Sequence, residues 1–379
     1  MEFALMYEVP NPSPWYEGQE HEALMDFIEE AKLADRVGFH SLWTVEHHFQ
    51  KELSMMSAPE VVYGYLAAVT ENMKIGHSVR LMPHPYNPPV RIAEQAAMVD
   101  HLLEGRFMFG IGRSATRGEL EGFGIDPMQT KDMQLEALDT VITAWTEDEY
   151  SYEGKFWKQP KRRLVPKPYQ KPHPPVWMAT TSDDGHVQVG ELGLNLLSFT
   201  VGVPVEVIGE RVAGYREGLS RAKPATKIIG DQVGIWTLGH CAPTNDEAKE
   251  EAGSSFEWYL ESNGKFITDL AEWLAEKSEH SGTYQYIRDR ADAIKSSAKP
   301  EDVVVGAGLT YDGLIDMAAV VSGDPERCIE LAKRYADAGA DMLLLLPQPH
   351  HISHEKVMQS IELFGTKVAP ALKNYEPKR

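Results

Sequence analysis

The stretch Ala23–Phe49, ALMDFIEEAKLADRVGFHSLWTVEHHF, decides the fold of this 379-residue chain. Its first part is a helical pattern in which apolar residues recur along one stripe, and Gly38 ends it. The run Ser41–Val45 then follows, and its continuously apolar character is typical of a strand covered on both faces. A helix followed by a buried strand predicts one unit of a parallel α/β fold.

The same alternation continues from this stretch in both directions. Besides Ser41–Val45, apolar runs predict strands at Phe3–Tyr7, Lys74–Val79, Arg106–Ile111, Val176–Ala179, Asn195–Phe199, Lys227–Leu238 and Met342–Leu346. Helical periods lie between them at Pro59–Thr70, Val90–Leu103, Lys131–Trp145, Asp183–Leu192, Val205–Gly218 and Pro325–Ala338. Eight strands that alternate with helices predict a (β/α)8 TIM barrel, with a doubly wound open sheet as the alternative.

Two intervals between predicted strands are too long for a plain βα unit. One follows strand four and holds a glycine-rich loop, a helix and the Pro/Lys stretch Lys158–Pro175; the other, between strands seven and eight, includes a helical pattern at Glu257–Lys277. Long excursions of this kind are usually functional lids or mobile segments. We therefore expect one domain over residues 1–379, with an insertion or lid at about 240–315 at the C-terminal mouth of the barrel, where barrel enzymes carry their chemistry.

The charge balance restricts the classes of partner. With 57 acidic and 37 basic residues, the chain has a formal net charge of −20, which repels nucleic acids and anionic lipid surfaces. Its two cysteines, Cys241 and Cys328, form no disulfide framework, as expected in a reducing compartment. The sequence shows neither a signal-peptide pattern nor an apolar window of membrane-spanning length. We expect a cytoplasmic protein that binds neither nucleic acid nor membrane.

The first candidate catalytic residues follow the second predicted strand, in Glu46-His47-His48-Phe49. A histidine at the C-terminal end of a barrel strand lies at the mouth and can accept or donate a proton near neutral pH. A buried, hydrogen-bonded histidine or a solvated pair is the alternative. A metal site needs further ligands at a suitable spacing, which the other histidines do not provide, so no metal is predicted.

The end of the fourth strand, Gly110-Ile111-Gly112-Arg113, is a candidate phosphate site. Two glycines let a ligand approach the backbone, and Arg113 supplies a fork of hydrogen-bond donors. A dinucleotide fingerprint would require a helix to open at once, whereas further glycines follow here, so the match to a Rossmann site is poor. A glycine-rich surface turn remains the alternative.

Further candidates surround the same predicted mouth. Thr181 and Ser182 end the fifth strand and can bind a phosphate together with helix N–H groups, although Ser182 also fits a simple helix cap and an acidic pair follows it. Lys131 opens the predicted helix Lys131–Trp145 and is either a second cation of the site or a surface lysine. Apolar residues near the strand ends can wall a substrate pocket or belong to the core: Met55, Met56, Tyr86, Trp177 and Phe199.

These spaced motifs together resemble the bacterial luciferase-like flavin monooxygenases. The motifs are Glu46-His47-His48-Phe49, Gly105-Arg106-Phe107 with Gly110-x-Gly112-Arg113, and Phe123-Gly124-x-Asp126. The resemblance runs from Phe3 to about Leu197 and resumes from Ser322 to Asp341. It implies a barrel enzyme that takes reduced flavin mononucleotide (FMN) from a separate flavin reductase. Reaction with O2 would give a C4a-(hydro)peroxyflavin, which oxidises a small organic substrate.

The resemblance also implies roles for individual residues. His47 would be the active-site base or hydrogen-bond partner close to the flavin. The implied flavin contacts are Val79, Arg80, Gly112, Arg113, Lys131, Thr181 and Ser182. Of these, Arg113 would grip the phosphate with Ser182 and Thr181 beside it, and Val79 and Arg80 would lie under the isoalloxazine ring.

The chain departs from the luciferases around that implied flavin. They carry a cysteine at Gly112, an arginine at Lys131, a glutamate at Thr181 and a threonine at Gly185. Light emission from a long aldehyde is therefore not expected, whereas hydroxylation and Baeyer–Villiger oxidation both remain open. Relatives of this kind usually dimerise, so the resemblance implies a homodimer.

Two other functions remain open for a barrel of this family. One is hydride transfer with the deazaflavin F420, whose longer anionic tail would favour extra cations that the acidic composition does not suggest. The other is a non-catalytic flavin-binding protein, which the presence of His47 argues against. The sequence does not identify the substrate or the reductase.

Overall fold

The computed structural model describes residues 1–199, 201–276, 284–295 and 309–378. Its main sheet consists of eight parallel strands: β1 (Glu2–Tyr7), β2 (Ser41–Thr44), β3 (Lys74–His77), β4 (Phe107–Gly112), β5 (Val176–Thr180), β6 (Asn195–Phe199), β7 (Val233–Cys241) and β8 (Met342–Leu346). Each strand pairs with its successor, and β8 also pairs with β1. This closure confirms the predicted TIM barrel and excludes the open doubly wound sheet.

Helices cover the outside of the barrel. In the described residues they are α1 (Gln19–Val37), α2 (Pro59–Val69), α3 (Pro89–Leu102), α4 (Arg117–Gly122), α5 (Thr130–Thr146), α6 (Asp183–Glu191), α7 (Val205–Leu219), α8 (Asn245–Glu276), α9 (Gln285–Lys295), α10 (Tyr311–Asp316), α11 (Pro325–Asp337), α12 (His354–Leu363) and α13 (Ala369–Leu372). A 3-10 turn at Pro127–Gln129 and a π-helical turn at Phe364–Val368 complete them. None of the described helices is long and apolar enough to cross a membrane.

The barrel interior is filled by large side chains from the strands. Trp43 of β2 and Trp177 of β5 meet edge to face, with ring centroids 5.3 Å apart, and both are fully buried. Phe107 and Phe109 of β4 face the opposite way, toward the surrounding helices, where Phe109 packs edge to face on Trp145 of α5. Inward-facing and outward-facing residues alternate along each strand, so each strand is packed on both faces. This packing fixes the strand ends that build the mouth.

The structure differs from the predicted elements in several places, among them a two-residue strand, Arg80–Leu81, that follows β3 and pairs with β4. The seventh strand begins at Val233, because the preceding residues form a loop whose Lys227 N–H donates to the His173 ring. A short antiparallel hairpin, Tyr150–Glu153 with Lys158–Arg162, lies in the interval after strand four. Its second strand is mostly exposed and rich in basic residues, so it gives no apolar signal. A three-residue strand, Val321–Gly323, extends the sheet beside β7.

The long interval between β7 and β8 carries α8, α9 and α10. The first of these begins well before the predicted Glu257. Parts of the predicted lid, residues 277–283 and 296–308, lie outside the described residues. Within the described part, α8 and α9 run beside the C-terminal ends of the barrel strands and border the cavity there.

Candidate active site

A cavity of about 1070 Å³ opens at the C-terminal ends of the strands, the end at which barrel enzymes carry their chemistry. Strand ends form its floor, and α8 and α9 form one side. Eight of the residues predicted for the site line it: His47, Val79, Gly112, Arg113, Lys131, Thr181, Ser182 and Phe199. The structure thus brings the predicted imidazole and both predicted cations into one chamber.

His47, just beyond β2, is held in place by two contacts. Its ring Nδ1 lies 2.7 Å from the Glu119 carboxylate, and its backbone N–H donates to the Met56 carbonyl at 2.9 Å. With Nδ1 engaged in this way, Nε2 is the ring nitrogen that remains for a ligand in the cavity. The ring is therefore oriented by the protein before any ligand binds.

The carboxylate of Glu119 is fully buried and surrounded by donors. Besides the His47 ring, it accepts hydrogen bonds from the Ser114 hydroxyl at 2.5 Å, the Thr116 hydroxyl at 2.8 Å and the His48 backbone N–H at 3.0 Å. Burial alone would raise the pKa of Glu119, but the His47 charge and these donors outweigh it and hold the pKa near 2. Glu119 therefore stays ionised throughout the neutral range.

That anion sets the protonation state of His47. Burial disfavours the imidazolium, but the charge of Glu119 and its hydrogen bond outweigh burial and raise the pKa of His47 to about 9. His47 is consequently protonated at neutral pH and presents a proton at Nε2. It is equipped to donate a hydrogen bond or a proton, which favours the expected role of hydrogen-bond partner over the expected role of base.

A second carboxyl group faces the cavity from the tip of β1. Glu8 is 4% exposed, and its Oε1 accepts a hydrogen bond from the Tyr259 hydroxyl of α8 at 2.9 Å. Burial raises the pKa of Glu8 to about 7, against the opposing effects of His47 and Tyr259. The inner end of the cavity thus holds a carboxyl group that changes charge near neutral pH.

The opposite end of the cavity is cationic. The Arg113 guanidinium donates to the Thr130 hydroxyl at 3.0 Å and lies 4.3 Å from the ring centre of Tyr284, whose hydroxyl donates to the Ser114 carbonyl. These contacts hold the guanidinium at the wall. Lys131 and, from α9, Arg290 also line the cavity. These cations can bind an anionic group locally, although carboxylates also line the cavity, at Asp183, Asp184, Glu191 and Asp289.

The start of α6 adds uncharged donors to this cationic end. Ser182 caps the helix by accepting a hydrogen bond from the Gly185 N–H at 3.1 Å, and Thr181 lies beside it in the wall. The neighbouring Asp183, which opposes an anion, is paired with the Arg211 guanidinium at 2.7 Å. Gly185 is required because a Cβ there would lie 1.9 Å from the Thr180 hydroxyl oxygen.

Between the cationic end and His47 the wall is formed by Val79 and Gly112. A Cβ on Gly112 would lie 2.2 Å from Cγ2 of Val79, so no side chain fits there while Val79 holds its position. The peptide bond between Ser78 and Val79 is cis. The side chain of Val79 therefore occupies the space that a larger residue at 112 would need, and the wall presents methyl groups.

Arg80 does not line the cavity, in contrast to its predicted place under the flavin ring. Its guanidinium is buried beneath the mouth, where it forms ion pairs with Glu46 and Glu60 and donates to Asn87 at 2.8 Å. Only its backbone belongs to the barrel end, where it pairs with Ile111 of β4. A buried guanidinium needs carboxylate partners, and these lie below the strand end.

Four predicted pocket residues also lie outside the cavity lining. Trp177 points into the barrel interior against Trp43, because its neighbours on β5 take the cavity side. Tyr86 stacks on His48 and contacts Phe123 in a separate aromatic cluster. Two methionines, Met55 and Met56, pack against the core, and Met56 contributes its carbonyl to His47. Phe199 is the only one of the five predicted pocket residues in the lining.

Several residues of the site were missed from the sequence. Glu119 lies far from His47 along the chain, and no local pattern links the two. Glu8 directly follows the first strand, so its place at a strand end was available as a signal. The aromatic and cationic residues of the long interval, which include Tyr259, Tyr284 and Arg290, give no signal before the path of that segment is known.

Comparison with known proteins gives a consistent result. The model of the luciferase-like monooxygenase family matches residues 1–342. The oxygenase component of the flavin-dependent trigonelline monooxygenase of Acinetobacter baylyi is 31% identical over 173 residues, which are 45% of this chain and 47% of that protein.

Two solved structures share the fold over nearly the whole chain. The oxygenating constituent of 3,6-diketocamphane monooxygenase of Pseudomonas putida, a type II Baeyer–Villiger monooxygenase in complex with FMN, has a TM-score of 0.76 and 22% identity and covers 100% of both chains. An F420-dependent secondary alcohol dehydrogenase in complex with an F420–acetone adduct has a TM-score of 0.68 and 18% identity, with 98% of this chain and 99% of that chain covered. These likenesses show a common barrel.

Proposed function

The chain belongs to the luciferase-like monooxygenase family, and on that premise we propose that it is an FMN-dependent monooxygenase of a small organic substrate. A separate flavin reductase supplies the reduced FMN. The observation that carries the proposal is the presence in one cavity of an imidazolium at His47 and a fixed guanidinium at Arg113. A flat ring with an anionic tail is a ligand that uses both.

The residues of the cationic end fit the phosphate of FMN. Arg113 and Lys131 supply charge, and Ser182 and Thr181 supply hydroxyl donors at a helix N-terminus, a combination that suits phosphate. The methyl wall of Val79 beside Gly112 suits the face of an isoalloxazine ring. Gly112 stands where the luciferases carry a cysteine. The side chain of Val79 occupies the space of that missing side chain, so the wall remains closed.

When bound, reduced FMN supplies two electrons for the activation of O2, so that one oxygen atom enters the substrate and the other leaves as water. The protein's part is to bind, orient and protect. His47 holds a proton at Nε2 beside the reacting groups, and Glu119 keeps that proton in place at neutral pH. The walls formed by α8 and α9 limit the access of water, which suppresses side reactions during the oxidation.

Hydride transfer with F420 and flavin binding without turnover are the competing functions. A decisive experiment supplies the purified protein with FMN, NADH, a generic flavin reductase and a panel of organic substrates under ¹⁸O2. We expect substrate-dependent oxygen uptake and one ¹⁸O atom in the product. In a parallel assay with F420 and a panel of alcohols, alcohol-dependent reduction of F420 would favour the second function, and FMN binding without turnover in either assay would favour the third.

We also propose that the protein is a homodimer through α2 and α3. These neighbouring helices expose apolar side chains spaced four residues apart, at Val61 and Tyr65 on α2 and at Met98 and Leu102 on α3. Each of the four is at least 52% exposed. A contiguous apolar face on the outside of a barrel marks an interaction site, and a second copy would present the same face to it.

A further inference from the structure

The inner end of the same cavity is lined by different residues from the cationic end, and we call this inner end the chamber. Its walls come from the loop after β2, from β6 and β7, and from α8, and they are largely apolar: Leu53, Phe199, Trp236, Tyr259 and Leu260. The rings of Phe199 and Trp236 have centroids 5.1 Å apart, and those of Trp236 and Tyr259 are 5.9 Å apart. This chamber suits a carbon ring system.

Two polar atoms interrupt the apolar chamber wall. One carboxylate oxygen of Glu8, Oε2, is buried and has no hydrogen-bond partner among the described residues, although Oε1 binds Tyr259. The indole Nε1 of Trp236 is likewise buried and without a partner in that part of the chain. Both residues are at least nine-tenths buried and both line the cavity. Buried polar atoms nearly always have partners, so a ligand is expected to supply them.

The two atoms have complementary demands. The carboxylate oxygen accepts a hydrogen bond, whereas the indole N–H only donates one. A hydroxyl group can satisfy both, because it donates its proton and accepts through its lone pairs. A protonated amine can only donate and leaves the indole unsatisfied, and a hydrocarbon satisfies neither.

We infer that Glu8, with Trp236, determines specificity for a substrate whose apolar ring system carries a hydroxyl group, an alcohol or a phenol. The inference rests on the proposed function in one respect, that the molecule in this chamber is the substrate that is oxidised. The substrate hydroxyl donates a hydrogen bond to Glu8 and accepts one from the Trp236 indole N–H, and the aromatic wall holds the ring. Tyr259 supports Glu8 through its own hydroxyl.

The test compares probes of equal size that differ in one group. Binding of 2-naphthol, 2-methylnaphthalene and 2-(aminomethyl)naphthalene is measured by calorimetry on the wild-type protein with oxidised FMN present, at pH 8, where Glu8 with its pKa of about 7 is mostly ionised. Because a hydrogen bond to a charged group contributes about 1.5–3 kcal/mol, 2-naphthol should bind about tenfold or more tightly than 2-methylnaphthalene. Equal affinities, tighter binding of the amine, or no detectable binding of any probe would overturn the inference.

Variants then assign the preference to its residues. Glu8→Leu should reduce the preference for 2-naphthol to less than about twofold. If that variant does not fold, as judged by circular dichroism, the isosteric Glu8→Gln should reduce the preference partly, and so should Trp236→Phe. The matched control is Glu261→Gln, an exposed carboxylate of α8, which should leave it unchanged. An unchanged preference in every Glu8 and Trp236 variant that folds would also overturn the inference.

A spectroscopic readout separates recognition from a merely structural role. Infrared difference spectra, assigned with Glu8→Gln, should show the Glu8 carboxyl band shifting when 2-naphthol binds but not when 2-methylnaphthalene binds. FMN affinity is measured separately on the same samples. If the wild-type protein does not bind FMN, the proposed function is contradicted. The preference for the hydroxyl group would still be decided by the probe affinities.

Discussion

The imidazole Nδ1 of His47 lies 2.7 Å from the carboxylate Oε1 of Glu119, a contact that joins the end of β2 to the first turn of α4. It orients the ring, reserves Nε2 for the cavity and keeps the imidazole charged. Since Glu119 is itself held by three further donors, the pair forms a rigid unit. The chemistry of the mouth therefore depends on a residue that contacts the cavity only through its partner.

Replacing Glu119 by glutamine should lower the pKa of His47. In the wild-type protein Glu119 outweighs burial and raises the pKa of His47 to about 9. In the variant, burial is opposed only by the charges of Glu8 and Glu46, so the pKa should fall clearly below 9. The measurement is a pH titration of the imidazole signals by NMR. Glu121→Gln, on the exposed side of the same helix, is the control. A variant pKa that remained near 9 would contradict this account.

The same pair should give a defined pH dependence of stability. The raised pKa of His47 contributes stability that is fully present below about pH 6.5 and is lost as the pH rises through about 9. The lowered pKa of Glu119 contributes stability that is present above about pH 4.5 and is lost as the pH falls through about 2. Urea unfolding should therefore show the largest difference between wild type and Glu119→Gln at about pH 4.5–6.5. A difference independent of pH would be evidence against the ion pair.

Removing the imidazole should separate catalysis from binding. In His47→Ala, product formation should fall by about 10²–10⁴-fold, the usual contribution of a positioned proton donor or acceptor. The affinity for FMN should change little, because the phosphate contacts lie at the other end of the cavity. Steady-state rates and FMN titrations on one preparation provide both numbers. Normal turnover would remove His47 from the mechanism.

Removing the guanidinium should have the opposite signature. Arg113→Ala should weaken FMN binding by about 1.5–3 kcal/mol, a lost charge-assisted hydrogen bond, and leave riboflavin binding unchanged because riboflavin lacks the phosphate. Tyr284→Leu should act in the same direction with a smaller effect, since its ring supports the guanidinium. Fluorescence titrations with the two flavins decide the matter. Equal losses for both flavins would place the phosphate elsewhere.

The apolar face of α2 and α3 is tested by solution mass. Met98→Glu together with Leu102→Glu should convert a dimer to a monomer, because charges cannot be buried in the contact without partners. Light scattering coupled to size exclusion gives the mass directly. The control places glutamates on another exposed apolar pair, Ile228 and Ile229. A wild-type protein of monomer mass at micromolar concentration would refute the proposed dimer.

The strands can be predicted from the sequence because the barrel buries both faces of each strand. Strands such as Met342–Leu346 are therefore continuously apolar, without alternating polar residues. Residues directly at strand ends were predictable for the same reason, since the ends of parallel strands share one mouth. His47 and Arg113 both follow this rule. The hairpin strand Lys158–Arg162 was not readable, because an exposed basic strand has no apolar signal.

Residues whose role depends on side-chain direction could not be predicted reliably. Trp177 is the second residue of β5 and lies deeper in the barrel than the residues at the C-terminal end of that strand, so it packs in the core against Trp43. Arg80 was expected under a flavin ring, yet its charge is compensated below the mouth by Glu46 and Glu60. Glu119 could not be linked to His47, because the contact depends on how two distant segments fold together.

α8 runs beside the C-terminal ends of the barrel strands and forms one side of the cavity. Its Tyr259 hydroxyl donates to Glu8, which directly follows β1, so the inner end of the cavity is shared between the barrel and the segment inserted between β7 and β8. The cationic end combines Arg113, just beyond β4, with Lys131 of α5, Ser182 before α6 and Arg290 of α9. Under the proposed function, exchanging side chains on the cavity side of α8 should change which substrates are accepted and leave the residues proposed to bind FMN in place.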